Sequence, residues 1–165
     1  MIDFTKSKQY TLSIRLSTDG FSFSIYNPIH DDSLSIIEKE IDTSLSLTAN
    51  LKAVFHESDF LNHPYKRVNI MMASKRFTIA PLDLFEEGQA ELLFYHNHQK
   101  RENETVLYNI LRKNNVAVIF GIDKSAQTFL NEQYPEARFY SQSTPFIDYF
   151  SVKSRLGNSK KMYAS

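Results

Sequence analysis

The chain has 165 residues, of which 42% are hydrophobic and 23% charged, a size and composition typical of one soluble globular domain or two small subdomains. Its 19 basic and 19 acidic side chains cancel, so the chain as a whole lacks the positive charge typical of nucleic-acid-binding proteins. It contains no cysteine, which excludes disulfides, thiolate zinc sites, iron–sulfur ligation and a cysteine nucleophile.

Glycine is scarce, with four residues that lie far apart: Gly20, Gly88, Gly121 and Gly157. Walker loops and dinucleotide fingerprints need clustered glycines, because backbone amides must approach a phosphate closely. The sequence therefore excludes both motifs.

Signals for membrane targeting are absent from the sequence. Residues 1–6 show no basic segment followed by an apolar stretch, so no signal peptide is predicted. No apolar run approaches about 18 residues, so no transmembrane helix is predicted. We therefore expect a cytoplasmic protein that does not contact membranes.

The first third of the chain is predicted to form a three-stranded antiparallel meander. Apolar and polar residues alternate over 12–16 and again over 21–26, the period of a strand with one buried face. Thr18-Asp19-Gly20 predicts a hairpin turn between them, since Asp and Gly tolerate positive φ. A third strand is predicted over 34–41. The side chains expected to face one side are Leu12, Ile14, Leu16, Phe21, Phe23 and Ile25.

The middle of the chain is predicted to alternate helices and strands. A helix capped by Ser44 or Ser46 has apolar residues at helical spacing and ends near 62–64. Asp83 and Glu86 are placed as a capping box and predict a second helix. Strands are predicted at 68–73 and 77–80, and a polar loop at 96–104. The first of these strands is expected to be buried in the sheet of the meander, parallel to its first strand.

The last third predicts a hairpin, a helix, a short strand and a final helix. Residues 106–111 and 116–122 form the hairpin, although 106–113 could also be helical. Asp123 caps the next helix, which Pro135 ends. A strand follows at 137–141. Thr144-Pro145 opens the final helix, through about residue 155.

This order of elements, a meander followed by alternating helices and strands, resembles the α/β ribonuclease-H-like fold, the half-unit of actin-like ATPases. Residues 12–25, LSIRLSTDGFSFSI, are similar to the first phosphate-binding hairpin of the actin and heat-shock-protein superfamily. Residues 116–149 resemble the inserted subdomain of its pilus-assembly and cell-division branch. The resemblance implies an actin-like core at 1–95, an inserted small α+β subdomain at 96–136, and a last strand and helix at 137–165 that return to the core.

Three segments also resemble a Bacteroidetes-type family of unknown function, DUF3822. They are the opening hairpin SIRLSTDGFSFSI, then FTIAPLDLF at 77–85 and FYSQSTPF at 139–146. Members of that family are longer than this chain, so the resemblance covers nearly all of the chain and the first half of the family's length. The family has no assigned activity. The resemblance implies a fold and, as partner, another protein or a C-terminal half.

Arg15 is the departure that decides the expected chemistry. In the ATPases that the hairpin resembles, the first strand carries an Asp that holds the magnesium shell, and this position is Arg15 here. An Arg is permanently charged and only donates hydrogen bonds, so it cannot ligate a cation. Ribonuclease-H-type two-metal catalysis needs the same carboxylate. We therefore expect no catalytic residue, no metal and no cofactor.

Three hypotheses for function follow. The first is a non-catalytic adaptor or assembly module, degenerate for nucleotide hydrolysis. The second is the N-terminal lobe of a nucleotide-binding actin-like ATPase. The third is an RNA-associated module that uses Lys75, Arg76 and nearby aromatic residues, although the neutral charge makes nucleic acid an unexpected partner.

The hairpin turn is the candidate ligand site. Ser17, Thr18, Asp19 and Gly20 could present amides and hydroxyls to a phosphate, with Arg15 attracting it by charge; the alternative is a plain turn. The hairpin's polar face is either a docking surface or a solvated face, and it consists of Ser13, Arg15, Ser17, Ser22, Ser24 and Tyr26.

A histidine pair and a late apolar segment are the remaining candidate sites. His96-Asn97-His98 resembles a metal pair in spelling alone, and we predict a solvated loop there. If the chain meets a second lobe, apolar surface late in the chain is expected to be covered by self-association. The residues predicted for that homodimer contact are Phe146, Tyr149, Phe150 and Met162.

Overall fold

The computed structural model describes residues 2–29, 34–145 and 147. The elements, in chain order, are β1 Thr11–Leu16, β2 Gly20–Tyr26, β3 Leu34–Glu40, α1 Leu47–Glu57, β4 Arg67–Met72, β5 Phe77–Pro81, α2 Ala90–Asn97, β6 Glu104–Leu111, β7 Val116–Asp123, α3 Lys124–Gln133 and β8 Arg138–Ser141. A 3-10 helix at Phe4–Gln9 precedes β1 and was not predicted from the sequence.

The larger sheet has five strands in the order β3-β2-β1-β4-β8. β1 pairs antiparallel with β2, so that Ile14 lies opposite Phe23. β1 pairs parallel with β4, with Ile14 opposite Ile70. These three side chains are fully buried. The structure thus confirms the predicted meander, its register and the parallel fourth strand.

Helices α1 and α3 contribute side chains to the same core. Leu51 and Phe55 of α1 and Leu130 of α3 are buried in the cluster that contains the inner face of the sheet. Of the two predicted caps of α1, Ser46 is the one used: its Oγ accepts a hydrogen bond from the Ala49 amide at 3.1 Å. The predicted cap of α3, Asp123, is also confirmed.

Asp123 begins α3 as its N-cap. Its Oδ1 accepts a hydrogen bond from the Ala126 amide at 2.9 Å. The Asn103 side-chain amide also contacts the Asp123 carboxylate, at 3.3 and 3.4 Å. An N-cap carboxylate satisfies an amide that the helix itself leaves unpaired. The cap therefore fixes the point where β7 passes into α3.

A smaller sheet has three strands in the order β5-β7-β6. Phe94 and Ala90 of α2 are buried with Ile119 of β7 and Ala80 of β5. The hairpin predicted at 106–122 is confirmed, and the helical alternative for 106–113 is wrong, because the residues up to Leu111 form β6.

The predicted capping box is wrong. Asp83 lies within a short 3-10 turn at Leu82–Leu84, Glu86 precedes a second one at Glu87–Gln89, and the helix begins at Ala90. Phe85 has an extended backbone, and its ring packs 5.1 Å from that of Tyr108. The tertiary packing of this ring therefore favours an extended backbone at Phe85 over the helix start that the local capping pattern predicts. At the other end, α2 continues through Asn97, so the predicted loop at 96–104 starts later than expected.

Contacts divide the chain into two compact units. The first comprises Met1–Ala73, Asn103–Thr105 and Ile122–Phe139, and the second comprises Ser74–Glu102, Val106–Gly121 and Tyr140–Ser165. The domain boundaries predicted after residues 95 and 136 stay a prediction. The grouping joins β5 and α2 with β6 and β7. The reason is the packing of α2, whose buried side chains meet β5 and β7.

Much of the predicted final helix lies outside the described residues. Helical backbone begins at Ser143. The homodimer contact residues Phe146, Tyr149, Phe150 and Met162 are outside the described range, so their contact stays a prediction. Across 2–29, 34–145 and 147, no helix is long and apolar enough to cross a membrane.

Candidate functional site

The turn between β1 and β2 is organised by the Ser17 side chain. Its Oγ donates a hydrogen bond to the Gly20 carbonyl oxygen at 2.9 Å. The same Oγ accepts hydrogen bonds from the amides of Asp19 and Gly20, at 3.2 Å each. The Ser17 amide also donates to the Gly20 carbonyl at 3.1 Å. The turn amides thus already have an acceptor, which an incoming phosphate would have to replace.

Gly20 is required by the approach of a neighbouring strand. Its φ is +156°, and a Cβ placed on it would lie 2.6 Å from the Lys39 carbonyl oxygen of β3. Among the described non-glycine residues, Asn103 and Asn115 are those with positive φ, so Asp19 does not adopt it. The turn is therefore not of type I′, which needs positive φ at both central positions.

A cleft of about 420 Å³ opens beside the turn. It brings together four of the five predicted site residues, since Thr18 does not line it. The lining residues are Arg15, Ser17, Asp19, Gly20, Phe21, Ser22, Glu38, Lys39 and Glu40. Two cationic side chains therefore meet three carboxylates, and the cleft is slightly acidic.

Glu38 and Glu40 are cleft residues that sequence reasoning missed. In the antiparallel register Glu38 lies opposite Ser22, and Ser22 lies opposite Arg15. Glu40 lies opposite Gly20. Extending the meander register by one strand would have found both carboxylates, because residues two apart on a strand share a face.

Arg15 and the carboxylates around it bear on whether the cleft can hold a metal ion. Arg15 is exposed, and its correspondence with the carboxylate position of the actin-like hairpin stays a prediction. Within 2–29, 34–145 and 147, no group of three His, Asp or Glu side chains is placed to hold a metal ion. The cleft can offer charged donors and acceptors to a ligand, and its carboxylates are those of Asp19, Glu38 and Glu40.

The predicted polar face of the hairpin is present as a geometric unit. Ser13 lies opposite Ser24, and Arg15 lies opposite Ser22. The three serines are half-buried. On β3, Ile36 lies opposite Ser24 and is 62% exposed. This face is therefore mixed rather than uniformly polar, and its role as a docking surface stays a prediction.

The residues of the RNA hypothesis have structural contacts in the second unit. The Arg76 guanidinium lies 5.2 Å from the ring centroid of Phe94, and it donates a hydrogen bond to the Gln99 carbonyl at 3.0 Å. The His98 ring also packs on Phe94, with the two ring centroids 4.6 Å apart. Its Nε2 lies 3.0 Å from the Phe77 carbonyl oxygen. His98 is thus a packed residue, not part of a solvated loop.

Comparison with known proteins decides the family. The sequence profile described as "Protein of unknown function (DUF3822)" matches residues 1–165. The chain belongs to the DUF3822 family. No curated protein matches it. Among solved structures, it is similar to a Bacteroides thetaiotaomicron protein described as having an actin-like ATPase fold and unknown function, whose crystal structure was determined at 1.85 Å resolution.

The likeness to that Bacteroides protein is close. The two share 84% sequence identity with a TM-score of 0.90, over 96% of this chain. The expected DUF3822 membership and the α/β actin-like ATPase fold, with its ribonuclease-H-like half-unit, are thereby confirmed. The DUF3822 chain covers 62% of the length of the Bacteroides chain. The comparison therefore shows the fold, and the Bacteroides protein is described as having unknown function.

Proposed function

We propose that this DUF3822 chain is a non-catalytic adaptor or assembly module that retains the actin-like scaffold without nucleotide hydrolysis. Arg15 carries the proposal. A permanently cationic side chain stands at the position where the resembling ATPases have the magnesium-shell carboxylate. Such a side chain repels a divalent cation and cannot ligate it.

The turn gives independent support. A phosphate held by the hairpin would need free amides, and those of Asp19 and Gly20 already donate to Ser17 Oγ. Three carboxylates, on Asp19, Glu38 and Glu40, line the same cleft. Without a bound cation they repel a polyphosphate. Both features disfavour the binding of a nucleotide and support a purely structural role for the hairpin.

The N-terminal lobe of a nucleotide-binding ATPase is the second candidate. It is favoured by one observation: the similar Bacteroides chain is longer, and this chain covers 62% of it. An actin-like nucleotide site is formed by two lobes, so residues beyond the match could complete one. In either case the partner is another protein or a further part of the same one.

Calorimetry with ATP separates the two candidates. The titrations use this chain and the longer Bacteroides protein, each with and without magnesium. We expect no magnesium-dependent binding by either. Weak, magnesium-independent binding that Arg15→Ala removes would fit simple charge attraction and leave the adaptor function intact. Micromolar, magnesium-dependent affinity in the longer protein overturns the adaptor proposal and establishes the ATPase-lobe candidate.

A further inference from the structure

A groove of about 930 Å³ lies in the first unit, remote in sequence from the hairpin turn. Its two walls are the segment that leads into β4, residues 61–68, and the segment that leads from α3 into β8, residues 133–138. It is larger than the cleft beside the turn, and neither the fold nor the proposed function accounts for it.

Hydrogen bonds hold the walls of this groove. The Tyr134 hydroxyl donates to the Leu61 carbonyl oxygen at 2.6 Å and so ties one wall to the other. The Tyr65 hydroxyl donates to the Phe60 carbonyl oxygen at 2.6 Å. Because these contacts form within the chain itself, a ligand would not have to order the walls, and preformed sites lose less entropy on binding.

The groove is positively charged. Lys66, Arg67 and Arg138 line it and are exposed, against one carboxylate, that of Glu136. Among the described residues, none of these three cationic groups forms a salt bridge or hydrogen bond. In a chain with no net charge, such a local excess of unneutralised cations is a recognition feature for an anionic ligand.

We propose that this basic groove binds an extended acidic segment of a partner protein. The inference rests on the proposed adaptor function and names the chemistry of its partner. Arginine pairs with carboxylates through two parallel hydrogen bonds. Lys66 and Arg67 belong to one wall and Arg138 to the other, so a chain of carboxylates can pair with cations from both segments.

The aromatic residues of the groove argue for a peptide over RNA. Single-stranded nucleic acids bind by stacking bases on exposed rings in a strongly basic channel. Tyr134 is buried, Tyr65 is half-buried, and both hydroxyls are engaged.

Fluorescence anisotropy with the full chain tests the proposal. The probe is a labelled glutamate-rich peptide of about ten residues, which spans roughly 33 Å when extended. We expect saturable binding that weakens with salt, since exposed charges are screened over about 10 Å at 0.1 M salt. Arg67→Glu with Arg138→Glu should weaken binding by about tenfold to a hundredfold, because two attractions become repulsions.

Matched controls make the result specific to the groove. Arg101→Glu with Arg112→Glu reverses two exposed cations of the second unit and should leave the affinity unchanged. Circular dichroism checks that both double variants fold. Equal losses in both variants, no binding of the peptide, or tighter groove-dependent binding of a single-stranded RNA overturns the proposal.

The groove and the adaptor function fail separately. Magnesium-dependent ATP binding would overturn the adaptor function, whatever the peptide result. If the groove substitutions leave the affinity for the peptide unchanged, the groove proposal is overturned, whatever the calorimetry with ATP shows.

Discussion

Gly20 lies so close to Lys39 that a Cβ on the glycine would come within 2.6 Å of the lysine carbonyl oxygen. The obstacle is backbone on a paired strand, which a rotamer change cannot relieve. The turn that resembles a phosphate-binding hairpin thus needs its glycine for strand packing, with no ligand involved.

Gly20→Ala is expected to destabilise the chain by about 1–3 kcal/mol, because both the positive φ and the contact with β3 become strained. Gly88→Ala is the matched control. No atom lies within 4 Å of a Cβ at Gly88, so this change should leave stability equal or raise it by up to about 1 kcal/mol. Urea unfolding measures both. Equal effects would show that β3 does not approach the turn closely.

Phe23→Ala is expected to cost about 3–5 kcal/mol, as large-to-small changes in a core do. Phe23 is fully buried, and its ring meets those of Phe21 and Phe60 edge-on. Its strand neighbour Ser24, on the other face, supplies the control: Ser24→Ala should cost under about 0.5 kcal/mol. Small losses in both variants would mean that the hairpin does not pack on the core.

Stability is expected to fall at alkaline pH. Burial raises the pKa of Tyr65 to about 12, and burial, followed by the neighbouring Tyr65, raises the pKa of Tyr134. An unfolded tyrosine loses its proton near pH 10, so the unfolded state binds fewer protons above that pH. The stability from each buried phenol is therefore complete below pH 10 and is lost as pH rises through the folded pKa.

Urea midpoints across this alkaline range measure the effect. Tyr65→Phe should lower stability at neutral pH by about 0.5–1.5 kcal/mol, through the lost hydrogen bond to Phe60, but it should flatten the decline above pH 10. Ser24→Ala removes no phenol and should keep the full decline. If Tyr65→Phe loses stability above pH 10 as steeply as the wild-type chain does, the Tyr65 phenol is not a source of the alkaline pH dependence.

Self-association through the end of the chain is the remaining prediction. Light scattering at high protein concentration should detect a dimer, because exposed apolar surface tends to be covered. Tyr149→Glu with Phe150→Glu should return the chain to a monomer. Leu92→Glu, at a residue of α2 that is 70% exposed, should leave the dimer intact. A monomeric wild-type chain would contradict the predicted contact.

The candidate site was only partly readable from the sequence. Arg15 and the turn residues could be predicted because they lie close together in one hairpin, whose strands show a clear alternation of apolar and polar residues. Glu38 and Glu40 enter the cleft through the pairing of β3 with β2. The hydrogen bonds of the turn could not be predicted either. Ser17 Oγ can bond to water or to the turn amides, and only the folded turn brings those amides within reach.

Local alternation by itself determined the meander, because moving β1 or β2 by one residue would expose Leu12, Ile14, Phe23 and their neighbours to water. Caps and turns likewise follow from residues a few positions apart, as Ser46 and Asp123 show. Tertiary structure alone decided the start of α2, where the packing of Phe85 on Tyr108 outweighs a capping box. It also decided the basic groove, whose walls come from two distant segments that the Tyr134–Leu61 hydrogen bond joins. Contacts between distant segments depend on the whole core, and no sequence period encodes them.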